Sequence, residues 1–434
     1  MKTTSNSEVV NQAIKMSSRR LLPFLVLLYI LAFIDRVNIG FAKSEFQTDT
    51  GMSEAAFAFG ASIFFIGYAL FEIPSNLVLH RVGARRWIGR IMVTWGMVAA
   101  LMAFAWTEKP FYVLRFFLGV AEAGFFPGVI LYLTYWFPAS RMGPVVGVFY
   151  FGAPLAQVVG GPLSGALMEL HGLGALTGWQ WMFLAEGIAA VVAGVFVYRF
   201  LPDRPEEAGW LSPEQKSMLT AAVRQEHATA TATDKTWRAI LNPDVIRLGA
   251  VYGMIQIGVY GVAFYWPAKV AQFLGLNAGF VVGIWSAIPW MFALGAAYVA
   301  PRLVGRWATA PGIVAGMLCA AACGVAFTSS EHAWLAILST TLALAGLIGA
   351  QPVFWTIPAR MISPAAAAGG LALINSMGAM GGFIAPNLKV GAESAFQSAE
   401  AGALALAACS LGAGLLTFKL WGGTAVHQQP PASR

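Results

Sequence analysis

Four charged residues lie inside long apolar runs of the chain. Asp35 and Arg36 are adjacent in the stretch "LAFIDRVNIGFA" at 31–42, and Arg115 and Glu122 lie seven residues apart in a later run. A charged side chain at the centre of a bilayer costs roughly 2.5 to 3.5 kcal/mol on insertion scales, so charges at such positions are expected to be functional. Guanidinium groups bind carboxylates, and buried carboxyl groups can carry protons. The four residues therefore suggest anion binding coupled to proton transfer.

Helix geometry limits how these four side chains can meet. Arg115 and Glu122 are nearly two turns apart, so they share one helix face and are separated by about 10 Å along the axis. Asp35 and Arg36 point roughly 100° apart, so one can face a cavity while the other reaches a neighbouring helix. Whether Arg36 contacts a substrate or tunes Asp35 stays open. A purely structural ion network is the alternative, and it carries less weight because apolar replacements of buried pairs are often as stable.

Two further acids lie inside apolar runs. Glu72, in "LFEIPSN", lies towards the predicted cytoplasmic end of its span, which favours a role in gating or helix packing. Glu186, in "GWQWMFLAEG", lies in the outer half of its span, and its role is open. No histidine lies near the middle of a span, so carboxyl groups must carry any transported proton. The three cysteines have no histidine or carboxylate neighbours, so we expect no metal site and no cofactor beyond the coupling proton.

The composition of the chain predicts the kind of helices that hold these residues. The chain has 434 residues, of which 58% are hydrophobic and 11% are charged, against about 25% charged in soluble proteins. A membrane span needs about 20 apolar residues. The runs predict an all-α membrane protein with twelve transmembrane helices, near 21–42, 53–79, 87–106, 110–137, 142–168, 180–201, 244–273, 279–301, 311–328, 333–358, 365–390 and 396–420.

The positive charges are distributed unevenly between the loops. Apart from Arg36 and Arg115, 21 of the 27 Lys and Arg residues fall in one set of loops and in both tails. The alternate loops or their edges hold only four, namely Lys43, Lys109, Lys269 and Lys389. This asymmetry predicts that both termini are cytoplasmic. It also explains the net charge of +7 without a nucleic acid partner, and leaves the lipid bilayer as the expected surroundings.

The chain divides into two similar halves. "YWFPASR" at 135–141 is matched by "FWTIPAR" at 354–360, and glycine pairs at 160–161 and 381–382 keep nearly the same offset. An internal repeat at half the chain length is typical of transporters built from duplicated six-helix units. We predict a cytoplasmic tail at 1–20, bundles at 21–201 and 244–420, and a second tail at 421–434. Between the bundles, a linker at 202–243 is predicted to carry a short surface helix, because "LSPEQ" is a capping box.

Six stretches resemble the major facilitator superfamily, and specifically its anion:cation symporter family. They are "YILAFIDRVNIGFA", "FFIGYALFEIPSNLVLHRVGARRWIGRI", "LRFFLGVAEAGFFPGVILYLTYWFP", "GWQWMFLAEG", "FLPDRPEEAGWLSPEQ" and "ALINSMGAMGGFIAP". The resemblance implies two pseudo-symmetric six-helix bundles and transport of carboxylates such as tartrate, phthalate or 4-hydroxyphenylacetate. It implies proton sites at Asp35 and Glu122. It also implies substrate contacts at Arg36, Arg115, Tyr68, Trp355 and Asn375.

The stretch "HRVGARR" resembles the superfamily's loop between the second and third spans. The resemblance implies a gate or packing role for Arg81, Arg85 and Arg86. His80 stands where many members carry an acid, so this sequence departs from the usual salt-bridge gate. Pro352 stands where relatives that carry sugar acids have a hydroxyl, which argues against a heavily hydroxylated substrate.

Together these observations predict an inner-membrane transporter that imports a small organic carboxylate by proton symport and works as a monomer. A facilitator or exporter of organic anions with the same fold is the alternative. An enzyme within the membrane would need a nucleophile, base or metal set on one face, and the sequence offers none. A sensor or scaffold is less favoured, because we find no soluble sensory domain.

Overall fold

A computed structural model describes residues 6–228, 242–361 and 364–424, and within these ranges the chain is helical with no β-strand. Of the predicted segments, residues 1–5 of the first tail, 229–241 of the linker and 425–434 of the second tail lie outside the described residues. The first half contains α1 (Asn6–Val37), α2 (Ile39–Thr50), α3 (Glu54–Val82), α4 (Ala84–Leu101), α5 (Glu108–Glu122), α6 (Phe125–Thr134), α7 (Ala139–Tyr150), α8 (Gly152–Met168), α9 (Gly178–Phe200) and α10 (Pro213–Ala228). The second half contains α11 (Pro243–Ala263), α12 (Trp266–Leu274), α13 (Phe280–Leu303), α14 (Ala310–Ala326), α15 (Ala333–Phe354), α16 (Thr356–Met361), α17 (Pro364–Phe396) and α18 (Ala399–Thr424).

The helices match the predicted spans. Eleven helical segments of the described chain are long and apolar enough to cross a membrane. The remaining predicted span, 311–328, corresponds to α14, an apolar helix of 17 residues. The all-helical membrane fold is therefore confirmed. Helix α1 begins at Asn6, within the segment predicted as a tail. Helix α10 begins directly after Ser212, which exchanges the two hydrogen bonds of a capping box with Gln215 in the first turn.

Several spans consist of two helices joined at a break. Asn38 separates α1 from α2, Ala123 and Gly124 separate α5 from α6, and Trp355 separates α15 from α16. Gly124 has a φ of 86°, a conformation that side chains rarely adopt. Irregular backbone at membrane depth occurs where it is buried in protein or lines a cavity. In agreement, Asp35 and Glu122 lie beside two of these breaks and are buried, and Trp355 at the third is half-buried.

Close backbone contacts join the two halves at one end of the molecule. We call this the distal end, because it carries the loops 51–53, 169–177 and 275–279, opposite the chain termini. A Cβ atom on Gly161 of α8 would lie 2.9 Å from the carbonyl oxygen of Gly283 on α13, and one on Gly40 would lie 2.8 Å from that of Phe264. Only glycine permits such approaches. The two halves are thus in close contact at the distal end.

Candidate functional site

A cavity of about 80 Å³ lies between the two halves. The first half contributes Tyr29, Phe33, Arg36, Phe65, Tyr68, Glu122, Phe125, Phe126, Tyr150, Ala153 and Pro154. The second half contributes Tyr252, Gln256, Val259, Tyr260, Ile348, Gln351, Trp355, Asn375 and Ala379. Five predicted site residues therefore line one cavity: Arg36, Glu122, Tyr68, Trp355 and Asn375.

Arg36 forms a salt bridge with Glu122 in the cavity wall. The Arg36 side chain, near the end of α1, is 12% exposed, whereas the Glu122 side chain, at the end of α5, is 1% exposed. Arg36 also donates a hydrogen bond of 3.4 Å to the hydroxyl of Tyr260 in the second half. Its guanidinium carbon lies 5.1 Å from the ring centre of Tyr68 and 4.8 Å from that of Phe33, and both rings stabilise the cation. The cavity therefore presents a guanidinium whose counter-ion is one buried carboxyl group.

Arg115 lies behind the cavity wall. Its side chain is fully buried, and Nη2 donates a hydrogen bond of 2.8 Å to the carbonyl oxygen of Ala61. Nε and Nη1 are buried and have no hydrogen-bond partner among the described residues. Arg115 interacts electrostatically with Asp35 and Glu122. In this conformation the cavity-facing arginine is thus Arg36, and Arg115 balances the two acids from the protein side.

Asp35 also lies behind the wall, in a network that reaches Glu186. Trp95 donates its indole hydrogen to Oδ2 of Asp35 over 2.6 Å. The amide nitrogen of Asn38 lies 3.5 Å from Oδ1 of Asp35 and 2.7 Å from Oε2 of Glu186. Ser164 donates to the other oxygen of Glu186 over 2.7 Å. The structure therefore links Glu186, whose role the sequence left open, to a predicted proton site.

Glu72 and Asn375 contact each other across the two halves. The amide nitrogen of Asn375 on α17 donates to Oε1 of Glu72 on α3 over 2.5 Å, and the hydroxyl of Ser376 donates to Oε2 over 3.1 Å. Glu72 is 3% exposed. A predicted gate residue is thus bonded directly to a predicted substrate ligand. The other predicted contact of the second half, Trp355, packs edge-on against Tyr252 with ring centres 4.9 Å apart.

Sequence reasoning missed a neutral polar group in the cavity. Tyr150 donates a hydrogen bond to Oε1 of Gln351, and its hydroxyl lies 3.4 Å from that of Tyr252. Gln351 in turn donates to Oε1 of Gln256 over 3.3 Å. These residues join the first half to the second. Gln256 and Gln351 could have been found from the sequence, because each is an amide inside an apolar span, as Asn375 is.

The basic loop between α3 and α4 packs within the first half. The backbone nitrogen of Arg85 donates to Asp203 over 2.8 Å, and its side chain donates to the carbonyl of Tyr198. Arg81 and Arg86 are exposed. The side chain of His80 lies outside the described part of the chain. The gate role of these arginines stays a prediction.

Known proteins resemble this chain over most of its length. A family model described as Major Facilitator Superfamily matches residues 25–386. The "Inner membrane transport protein RhmT" of Escherichia coli (strain K12) is 43% identical over 418 residues, which cover 96% of each chain. A "Putative tartrate transporter" of Agrobacterium vitis is 46% identical over 371 residues, covering 85% of this chain and 82% of that one.

A solved structure shares the fold. The crystal structure of a bacterial homolog to the human lysosomal transporter Spinster, in an inward-facing and unoccupied conformation, superposes with a TM-score of 0.75. It covers 96% of this chain and 99% of its own, with 17% sequence identity. The chain therefore belongs to the Major Facilitator Superfamily, and is a multi-pass membrane transporter and not an enzyme.

Proposed function

We propose that this transporter imports a small organic carboxylate together with protons, by alternating access of the cavity to the two sides of the inner membrane. The observation that carries the proposal is the salt bridge of Arg36 with Glu122 in the cavity wall. Among the described residues that line the cavity, Arg36 is the one cationic side chain. A guanidinium binds a carboxylate through two parallel hydrogen bonds. An anionic substrate is therefore the ligand that this cavity fits.

Competition for Arg36 couples the substrate to a proton. A substrate carboxylate that binds Arg36 displaces Glu122, and an unpaired buried carboxylate costs several kcal/mol. Protonation of Glu122 removes that cost. Substrate and proton therefore bind cooperatively, and each raises the affinity for the other by the same factor. Asp35, beside Arg115, is the second proposed proton site.

The other walls of the cavity define the class of carboxylate. Tyr68 and Trp355 offer aromatic faces, and Asn375 offers an amide, so the cavity suits hydroxycarboxylates of the tartrate type and aromatic acids of the phthalate type. The similarity to a putative tartrate transporter supports the former. The predicted contact between Arg115 and the substrate stays a prediction, because Arg115 is not part of the cavity wall in this conformation.

The loop charges give the proposed orientation. With both termini in the cytoplasm, the distal end faces the periplasm. The contacts of Gly161 with Gly283 and of Gly40 with Phe264 then close the periplasmic side. The structure corresponds in this proposal to a state shut towards the outside. Reopening requires these glycine contacts to separate as the two bundles rock.

Transport into proteoliposomes tests the proposal. The purified full-length protein is expected to accumulate labelled tartrate or phthalate above the external concentration when the interior is alkaline, and a protonophore is expected to abolish the accumulation. Arg36→Ala should prevent uptake. Arg247→Ala is the matched control, because Arg247 is exposed and pairs with Asp244 at the surface. Uptake that only equilibrates, with or without the pH gradient, would identify a facilitator and refute symport.

A further inference from the structure

One of the two proposed proton sites has no direct contact with the cavity. Glu122 lines the cavity, but Asp35 is 2% exposed and is not part of the wall. Phe33 and Arg36, its neighbours on α1, do line the cavity, so Asp35 points away from it. A proton that reaches Asp35 without passing the substrate needs another route through the first bundle.

Glu186 provides a carboxyl group on such a route. Its Oε2 and the Oδ1 of Asp35 both lie within reach of the same nitrogen of Asn38. The two oxygens are therefore no more than about 6 Å apart, a separation that one water molecule can bridge by hydrogen bonds. The Oδ1 atom of Asn38 is buried and has no hydrogen-bond partner among the described residues, so the side chain that contacts both acids also has an unused acceptor.

The position of Glu186 along α9 suits transfer from the distal side. Helix α9 begins at Gly178 at the distal end, and Glu186 follows eight residues later, about 12 Å along the axis. Glu186 is 6% exposed. A structural role alone would be met by an apolar residue or an amide, which this apolar helix accommodates at lower cost than an acid.

We infer that Glu186 is a third proton-carrying carboxyl group, which passes protons from the distal side to Asp35 without using the substrate cavity. The inference rests on the proposed proton symport. In the forward step, the O–H bond of a protonated Glu186 breaks and an O–H bond forms on ionised Asp35, directly or through one water. Glu186 then takes a proton from the distal solution. The proton is the only charge that moves in this step, and no other reactant is consumed.

The groups around Glu186 are consistent with this role. Asp35 on α1 is the charged group that acts on Glu186, while α8 contributes the neutral Ser164 and α4 contributes Trp95, which is bonded to Asp35. The charged side chains of α2 have partners at the distal end: Lys43 with Glu54, Glu45 with His171, and Asp49 with Trp179. No cation in the described chain pairs with Glu186, so its carboxyl group is free to exchange a proton.

Glu186→Gln separates a relay from a structural role. Glutamine keeps the size and the hydrogen-bonding capacity of the side chain but cannot carry a proton. The full-length protein is reconstituted into proteoliposomes that contain a pH-sensitive dye. Two transport rates are then measured with labelled tartrate. The first is uphill accumulation driven by a pH gradient, and the second is exchange of internal for external tartrate at equal pH, which needs no net proton movement. We expect Glu186→Gln to slow accumulation and dye-detected proton uptake by about a hundredfold. Exchange should stay within about twofold of wild type.

Two results would overturn the relay. Wild-type accumulation by Glu186→Gln would show that the carboxyl group is dispensable. If Glu186→Gln lost exchange as well, Glu186→Asp would decide, because a relay predicts that the retained carboxyl group restores accumulation, whereas equal damage would show a structural role. Glu108→Gln is the control, since Glu108 is an exposed acid on α5. Exchange without any gradient-driven accumulation in the wild type would instead refute the proposed symport itself.

Discussion

Glu122→Gln tests the competition between substrate and carboxylate at Arg36. Glutamine fills the same space and keeps an acceptor for Arg36, but it removes the charge and the proton. In the wild type, a substrate must displace a salt bridge in which the Glu122 side chain is 1% exposed. A hydrogen bond to a charged group contributes about 1.5 to 3 kcal/mol. We expect the ion pair of Arg36 with Glu122 near the upper end of that range, and the bond of Arg36 to the neutral amide of Glu122→Gln near the lower end, because only one partner is then charged.

The expected gain in affinity follows from that difference. The bond that substrate must displace weakens by about 1 to 1.5 kcal/mol, which corresponds to roughly tenfold tighter substrate binding where wild-type Glu122 is ionised. The sign of the pH effect follows from proton uptake. In the proposed mechanism Glu122 gains a proton when the substrate binds, so wild-type affinity should rise as the pH falls. The variant takes up no proton at this position, so its affinity should depend less on pH.

Isothermal titration calorimetry of the purified protein measures both the substrate affinity and its dependence on pH. Titrations of tartrate in two buffers with different ionisation enthalpies give the number of protons taken up per bound substrate. We expect Glu122→Gln to take up about one proton fewer than wild type. Glu108→Gln, on the same helix but exposed, should match wild type. Equal proton uptake by Glu122→Gln and wild type, with an unchanged pH profile, would refute the competition at Arg36.

Two further predictions concern the contacts between the bundles. Glu72→Ala and Asn375→Ala should weaken substrate binding non-additively, because Glu72 accepts a hydrogen bond from the amide of Asn375. A double-mutant cycle should give a coupling of about 1.5 to 3 kcal/mol. Additive losses would mean that the two residues act independently. Gly283→Val should slow uptake, because a side chain at 283 collides with the backbone of α8 and hinders closure. In a background without the native cysteines, a cysteine substituted for Gln157 should then react faster with a thiol reagent added outside. Gly295→Val on the same helix is the control, since a Cβ there meets no atom within 4 Å. Unchanged labelling in Gly283→Val would contradict the role of the glycine contact in closure.

The sequence predicted the fold and the charged centre because both depend on a strong local signal. Apolar runs of about 20 residues identify spans without reference to their neighbours. Asp35, Arg36, Arg115 and Glu122 stood out because charges in such runs are rare. The salt bridge of Arg36 with Glu122 and the contacts around Asp35 bring these four residues into one region.

The direction in which individual side chains point could not be predicted from such a local signal. Which arginine reaches the cavity depends on the rotation of α1 and α5 about their axes, and that rotation is set by packing against neighbouring helices. The bond between Glu72 and Asn375 joins residues 303 positions apart in different bundles, so it depends on how the bundles are aligned in this conformation. The group around Gln351 was missed because amides and tyrosines in spans also serve ordinary packing.

The cavity wall is chemically asymmetric, and this has a consequence for how such carriers diversify. Among the described lining residues, Arg36 and Glu122 belong to the first bundle, while the second bundle contributes only neutral side chains. Mutations in the second bundle away from Tyr260, which contacts Arg36, can therefore reshape the cavity without removing the salt bridge of Arg36 with Glu122. A chimaera that joins this first bundle to the second bundle of a relative should keep the charged pair of one parent and acquire the neutral cavity wall of the other.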